Sequence, residues 1–324
     1  MRKAIQISAL MAATFVVPAA MAAAPSQGYP DRPVRLIVGF PPGGAADFLA
    51  RVAAQHLSSG IGQQVVGDNR GGAGGLIATE LAVRATPDGY TLLFTSIPHV
   101  INPHLYRKAR YDAIKDFVPV SQFVSVPLMM AGSPALAAKN VKEFIALAKA
   151  KPGQLNYGSA GSGSSSHLAM ELFKSMAKIE MTHVPYKGTG PLIVDMLGGQ
   201  IGVTIASAVP LTPQVKAGKL RALGVTGPKR SVAFPDVPAI AETLPGYEVV
   251  NWFGVLAPAG TPKAIVSRLN AVLDKALESP ELVKMLNSRT AEAVGGSPAD
   301  FAKTIRSDYA MWGRIVKQSG ARVD

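Results

Sequence analysis

Four glycine- or serine-rich loops carry the residues whose types and spacing could do chemistry. The first is FPPGGAADFLAR, residues 40–51, and the second is DNRGGAGG, residues 68–75. The third is GSAGSGSSSHLAMELF, residues 158–173, with serines at 159, 162, 164, 165 and 166. The fourth is VPYKGTGP, residues 184–191. Each follows a short apolar run and opens a helix-period segment. Free N–H groups at a helix N-terminus, opened by glycines, suit an anion. Serine hydroxyls in the third loop add donors for a carboxylate, and Tyr186 and Lys187 in the fourth offer a hydroxyl and a positive charge. Read singly, the first loop is equally an ordinary strand–helix turn, and the second reads better as a structural turn or a wall of the first site. A serine-rich turn is the alternative for the third, and a surface position is the default for Lys187. Asp47 fits less simply: it favours the helix dipole but repels a carboxylate held close, and it could instead accept a ligand amine or hydroxyl. His167, in the first turn of its helix, reads as a packing or supporting residue rather than a general base.

Other chemistries lack their signatures. No Walker loop, dinucleotide fingerprint or G-x-S-x-G nucleophile elbow occurs in these loops. The histidines at 56, 99, 104, 167 and 183 form no H-E-x-x-H or comparable zinc spacing. There is no cysteine, which removes thiolate metal sites, disulfides and a cysteine nucleophile. No pair of acids has a spacing that identifies a hydrolase. The pattern is several anion-friendly loops without a catalytic constellation, and no cofactor is expected.

Alternating elements must position these loops. Strands are predicted over 34–40, 64–66 and 91–95, with helices over 45–57 and 76–85 between them. This βαβαβ beginning argues for a parallel α/β sheet. Residues 117–131 are apolar with little helix period, and read as two strands or one long crossing strand. Asn140 and Glu143 start a capped helix running to about 150. A second α/β series follows, with strands over 155–158, 182–185, 202–206 and 221–225 and helices over 165–177 and 191–197. A proline-rich connection over 235–245 leads to a strand over 249–257. Thr261-Pro262, Ser279-Pro280 and Ser297-Pro298 then each place a cap residue before a proline at the first helical position. Phe301, Ile305, Tyr309, Trp312 and Ile315 make one stripe of the last helix, a core face. Two crossings between two series imply two α/β lobes joined by a two-stranded hinge, with the C-terminus rejoining the first lobe. The site belongs in the cleft where strand ends face each other.

Composition sets the class. With 48% hydrophobic and 17% charged residues the chain of 324 residues is globular and long enough for a large core. The formal net charge is +12, but Lys and Arg are scattered and aromatics are 6%, so nucleic-acid binding is not expected. Arg2 and Lys3, an apolar run over 4–21 and Ala20-Met21-Ala22 read as a signal peptide over residues 1–22. The cleavage motif at the end of the run argues against a membrane anchor. Absence of cysteine fits an oxidising compartment. The most apolar later stretch, 192–211, is broken by Asp195, Gly198, Gly199, Gln200 and Pro210, so no membrane span is expected there.

Taken in order, the motifs resemble the Bug family of extracytoplasmic solute receptors, the substrate-binding components of tripartite tricarboxylate transporters. The matching stretches include YPDRPVRLIVGFPPGGAADFLAR, NRGGAGGLIATELAVRATPDGYTLLF, LNYGSAGSGSSSHLAMELF, HVPYKGTGP and FPDVPAIAETLPGYEVVNWFGVLAPAGTPKAIVSRLN. They cover nearly everything after the signal segment. The resemblance implies a type II periplasmic-binding-protein fold. Lobe 1 would span 27–124 and 246–324, and lobe 2 would span 125–245. It also implies a small carboxylate held between the lobes by loop backbone, hydroxyls and bridging water. Carried onto this sequence, first-lobe contacts fall on Phe40, Pro41, Gly43, Gly44, Ala45, Asp47 and Ser96. Second-lobe contacts fall on Ser159, Gly161, Ser162, Gly163, Ser164, Ser165 and His167, on Tyr186, Lys187 and Gly188, and on Ala206 and Ser207. The acid that family members often carry near Ser207 is missing, which points to a ligand without a basic group. The implied protein is a periplasmic, monomeric receptor that hands its ligand to a membrane permease. An exported hydrolase using the same cleft is the alternative.

Overall fold

The computed structural model describes residues 28–231 and 234–319; the expected signal peptide lies outside the described residues. In the first lobe, β1 (Val34–Val38), α1 (Ala45–Ile61), β2 (Val65–Asn69), α2 (Leu76–Val83), β3 (Thr91–Ser96) and α3 (Pro98–Leu105) follow in order. β1 pairs in parallel with both β2 and β3. Its Val34, Leu36, Ile37 and Val38 are buried, as a strand covered on both faces requires.

The chain then crosses on β4 (Phe117–Gly132), sixteen residues long. One long strand, not two, is what the unbroken apolar run encodes. At roughly 3.3 Å per residue it extends about 50 Å, enough to serve both lobes. The second lobe follows with α4 (Val141–Ala150), β5 (Asn156–Ser159), α5 (Ser165–Ala177), β6 (Thr182–Pro185), α6 (Thr189–Leu197), β7 (Val203–Ser207), α7 (Ala208–Lys216) and β8 (Arg221–Val225). The return strand β9 (Val250–Pro258), then α8 (Lys263–Leu277), α9 (Pro280–Asn287), β10 (Glu292–Ala293) and α10 (Pro298–Ser319) complete the chain. The strand order is β2-β1-β3-β9-β4-β7-β5-β6, with β8 and β10 also on β4.

β4 pairs with β9 as far as Pro127 and with β7 from Leu128 onward. The lobes therefore change over between those two residues. Thr226, on the returning chain, ties the two crossings together. Its hydroxyl accepts from Leu128 N–H at 2.7 Å and donates to Val249 O at 2.5 Å.

Alternation along the strands distributes the core over the sheet faces. Ile37, Leu93, Leu128 and Met130 join Phe144, Phe173, Phe301 and Trp312 in one cluster spanning both lobes. Leu36, Val38 and Phe94 pack on the other face with α1 and α8, while Met129 and Ala131 pack with α6. The stripe on α10 behaves as its spacing predicts, with Phe301 set edge-on against Trp252 at 5.0 Å.

Several elements differ from expectation. α1 runs four residues further and stops at Gly62, whose φ of 76° gives a left-handed cap. α3, α7 and the short β10 were not anticipated. The prolines in PHVINPHL hide α3: Pro98 sits in its first turn, and Pro103 leaves the His99 carbonyl without a helical donor. Tyr111 supplies the replacement, its hydroxyl donating to His99 O at 2.7 Å. Ser279 caps α9 as expected, but α8 is preceded by Pro262, and Thr261 turns its hydroxyl to Pro258 O instead.

Candidate functional site

The strand–helix junctions of both lobes meet at one cleft. The inner cavity is lined from the first lobe by Phe40, Pro41, Pro42, Gly44, Ala45, Ala46 and Ser96. The second lobe contributes Ala160, Ser164, Ser165, Ser166, Gly188, Thr189, Gly190 and Ser207, and β9 contributes Asn251 and Phe253. Four helices start here: α1, α5, α6 and α7. Only α5 has a side-chain cap, Ser164 accepting from His167 N–H. Gly44, Gly188 and Ser207 precede the other three without capping through a side chain. Their first-turn N–H groups are left for a ligand or water, and the dipoles of all four favour negative charge there.

A second, outer pocket occupies the lips of the cleft. It is lined by Gly72, Ala73 and Gly74, by Tyr106, Gly161, Ser162, Pro185, Tyr186 and Lys187, and shares Phe40, Pro41, Ala160 and Gly188 with the inner cavity. The lips touch. Tyr106 donates its hydroxyl to Ser162 O across the cleft at 3.1 Å. Gly74 has φ 60°, and a Cβ there would stand 2.8 Å from Ser162 O, so only glycine allows this approach. Deeper in, Asn251 accepts from Ile97 N–H and donates to Ser165 Oγ, both at 3.3 Å, joining β9 and the first lobe to the start of α5.

Thirteen of the expected residues therefore line one pocket or the other: Phe40, Pro41, Gly44, Ala45, Ser96, Gly161, Ser162, Ser164, Ser165, Tyr186, Lys187, Gly188 and Ser207. Gly43, Asp47, Ser159, Gly163, His167 and Ala206 stand behind them. Asp47 accepts from Gly43 N–H through one oxygen, 3.1 Å, and from Arg51 Nε through the other, 3.0 Å. Burial would raise its pKa, but these hydrogen bonds outweigh burial and hold the carboxyl below the usual range. Asp47 thus shapes the first loop. Ala206 is wholly buried in the packing of the second lobe.

Behind the serine loop lies a packed polar stack. Ser159 Oγ meets His183 Nε2 at 2.6 Å and accepts from Gly161 N–H. His183 stacks on His167 at 4.1 Å and on Tyr157 at 4.9 Å. His167 Nδ1 accepts from Gly163 N–H at 3.2 Å, so its ring proton is on Nε2. Tyr157 and Lys174 both donate to Glu171. Burial, then the neighbouring His167, pushes the His183 pKa down to about 4. Ser159 has no exposed surface, while His183 is partly exposed. Their place under the loop is structural.

Sequence reasoning missed Pro42, Ala46, Ala160, Thr189, Gly190, Asn251 and Phe253 in the inner cavity, and Tyr106 and Pro185 in the outer pocket. Most adjoin residues it named. Asn251 had its own signal, an amide inside the apolar strand VVNWFGV, 2% exposed here. Among the described residues no cluster of three or more His, Asp or Glu could hold a metal, and no helix is long and apolar enough to cross a membrane.

The geometry has counterparts in known proteins. The model of the tripartite tricarboxylate transporter family receptor matches residues 49–321. Protein BugT of Bordetella pertussis is 37% identical over 313 residues, 95% of this chain and 96% of that protein. Rpa4515 of R. palustris, solved with adipate, superposes with a TM-score of 0.88 at 38% identity, covering 91% of this chain and 100% of that one. MatC of Rhodopseudomonas palustris, solved with bound malate, gives 0.85 at 31% identity, covering 89% and 100%. The chain belongs to the tripartite tricarboxylate transporter receptor family: it is a two-lobed solute-binding receptor of the Bug type, not an enzyme.

Proposed function

We propose that this receptor captures a small carboxylate-bearing solute in the periplasm by closing its two lobes, and delivers it as a monomer to the permease of a tripartite transporter. The observation that carries the reading is the convergence of helix N-termini from both lobes on one cavity, those of α1, α6 and α7 without a side-chain cap. A carboxylate bridging α1 of the first lobe and α5 and α6 of the second makes contacts that exist together only when the cleft is shut. That differential affinity is what shifts the population toward the closed form. Adipate and malate in the two structural relatives support a carboxylate as the ligand class. The expected contacts at Gly44, Ala45, Ser164, Ser165, Gly188 and Ser207 form the inner ring of this proposal. Gly43, Asp47, Ser159, Gly163 and His167 hold the loops in shape.

Thermal unfolding against a panel of small carboxylates tests the capture step. A ligand at 100 times its dissociation constant adds about 2.7 kcal/mol of stability. The expected result is one such shift with the acid recovered unaltered. No shift across the panel, and no acid released from the denatured protein, would overturn the reading. Delivery is tested separately, by uptake in cells that carry or lack the permease genes.

A further inference from the structure

Asn251 is an amide inside an apolar strand, 2% exposed, in the wall of the inner cavity. It pairs with Val126, next to the changeover between the lobes. β3 runs beside β9 only as far as Ser96, opposite Phe253. Ile97 follows beyond the paired residues, and its N–H donates to Asn251 Oδ1 at 3.3 Å. A backbone N–H can only donate, so the amide oxygen faces Ile97 and the NH2 group faces the second lobe. There it donates to Ser165 Oγ, also at 3.3 Å.

Ser165 is the first residue of α5 and lines the cavity. Its neighbours Ser164 and Ser166 have their hydroxyls engaged with each other and with Gly161 O and Ala160 N–H. Ser165 differs from them. Its oxygen receives the Asn251 amide, and its own proton has no acceptor among the described residues. A hydroxyl that accepts on one side turns its proton away from that donor. Here that leaves the proton for the cavity. The bonds then run in one sense, from Ile97 N–H to Asn251, from Asn251 to Ser165, and from Ser165 into the cavity. Aligned bonds of this kind polarise one another in a buried site. Their outlet is a donor, matched to a carboxylate oxygen, which only accepts.

We infer that Asn251 is a positioning residue: it sets the Ser165 hydroxyl as a donor to the bound carboxylate, and so ties capture of the anion to the first-lobe backbone at Ile97. The inference rests on the carboxylate-capture reading and deepens it with a residue that acts through another. Asn251 need not touch the solute. Its contribution passes through the Ser165 proton, so it disappears when Ser165 has no hydroxyl.

A double-mutant cycle read by titration calorimetry tests this. The probe is the tightest binder among acetate, succinate, malate, glutarate and adipate. Ser165→Ala should weaken it about 10- to 100-fold, the worth of one hydrogen bond to a charged group. Asn251→Ala should weaken it about 5- to 10-fold when Ser165 is present, and less than about twofold in the Ser165→Ala background. Asn251→Ala also leaves the buried Ile97 N–H unpaired, so a melting curve accompanies each variant. Asn251→Asp keeps the cycle readable if the alanine variant fails to fold. It retains an acceptor for Ile97 but replaces the NH2 group by a second acceptor, which draws the Ser165 proton out of the cavity. Its charge repels the anion in either background, whereas the lost proton is felt only where Ser165 is present. Its cost should therefore be at least about tenfold larger with Ser165 than with alanine there. Equal costs in the two backgrounds would make Asn251 a structural residue and overturn this inference while leaving capture intact. Failure of all five acids to bind the unaltered receptor would overturn both.

Discussion

Buried histidines give this protein an acid-sensitive core. His99 is 1% exposed, rests between Tyr111 and Phe117, and burial lowers its pKa to about 4. His183 is lowered to about 4 as well, by burial first and then by His167. In the unfolded chain both return to about 6.5. The unfolded state then binds more protons than the folded state between those values, so stability is full above pH 6.5 and falls as the pH drops toward 4. At pH 5 the expected loss from His99 is about 2 kcal/mol, and His183, partly exposed, adds less. Urea unfolding at pH 7.5 and pH 5 measures this, and equal midpoints would refute it. The same residues show what a sequence conceals. Five histidines could be counted in advance, but the 4.1 Å stack of His167 on His183 joins positions sixteen residues apart on different elements.

At the scale of elements, the binding groups are ends rather than side chains. α1 begins at Ala45 after a Gly44 in extended conformation, φ −94° and ψ 178°. Proline is tolerated at a first helical position, and an extended residue before it is compatible with proline. Ala45→Pro therefore removes one N–H from the cavity wall without breaking the helix. We expect stability to change by less than about 0.5 kcal/mol. Affinity should fall about 10- to 100-fold, the worth of one hydrogen bond to a charged group. Calorimetry beside a melting curve separates the two effects. Loss of both together would mean the loop had collapsed. Capping offers a contrast on the surface: Ser279 accepts from Leu282 N–H at the start of α9, and Ser279→Ala should cost about 1 kcal/mol with no change in affinity.

For the whole molecule, the question is what holds two lobes shut. Direct contacts between the lips include the Tyr106 hydroxyl on Ser162 O and the close approach of Gly74 to the serine loop. Tyr106→Phe deletes one hydrogen bond that bridges the two lips. Ligand release should accelerate about 3- to 10-fold, with ligand-free stability nearly unchanged. Stopped-flow dissociation measures the rate, and an unaltered rate would show that closure does not depend on this contact. Gly74→Ala tests the same surface by obstruction. Its Cβ would press on Ser162 O, and affinity should drop by about tenfold or more, since the closed form is what binds tightly.

Much of this architecture is written locally. The alternation of β-rich runs and helix-period segments, the Asn140–Glu143 cap and the stripe on α10 are decided by neighbours within a few residues, so the α/β class and most of the elements were legible. The loop motifs also revealed where strands hand over to helices, and hence most of the cavity wall. What the sequence could not supply was everything that depends on which distant segments meet. Pro103 reads as a helix breaker until Tyr111 arrives to pair the stranded carbonyl. Asp47 reads as an unpaired acid in the sequence, whereas in the fold Arg51 and Gly43 each bond one of its oxygens. The bonds of Asn251 to Ile97 and Ser165 exist only once two lobes enclose a volume. Spacing along a chain sets which groups a turn can present, whereas burial and partnering are set by long-range packing, and those decide which group is left to meet the solute.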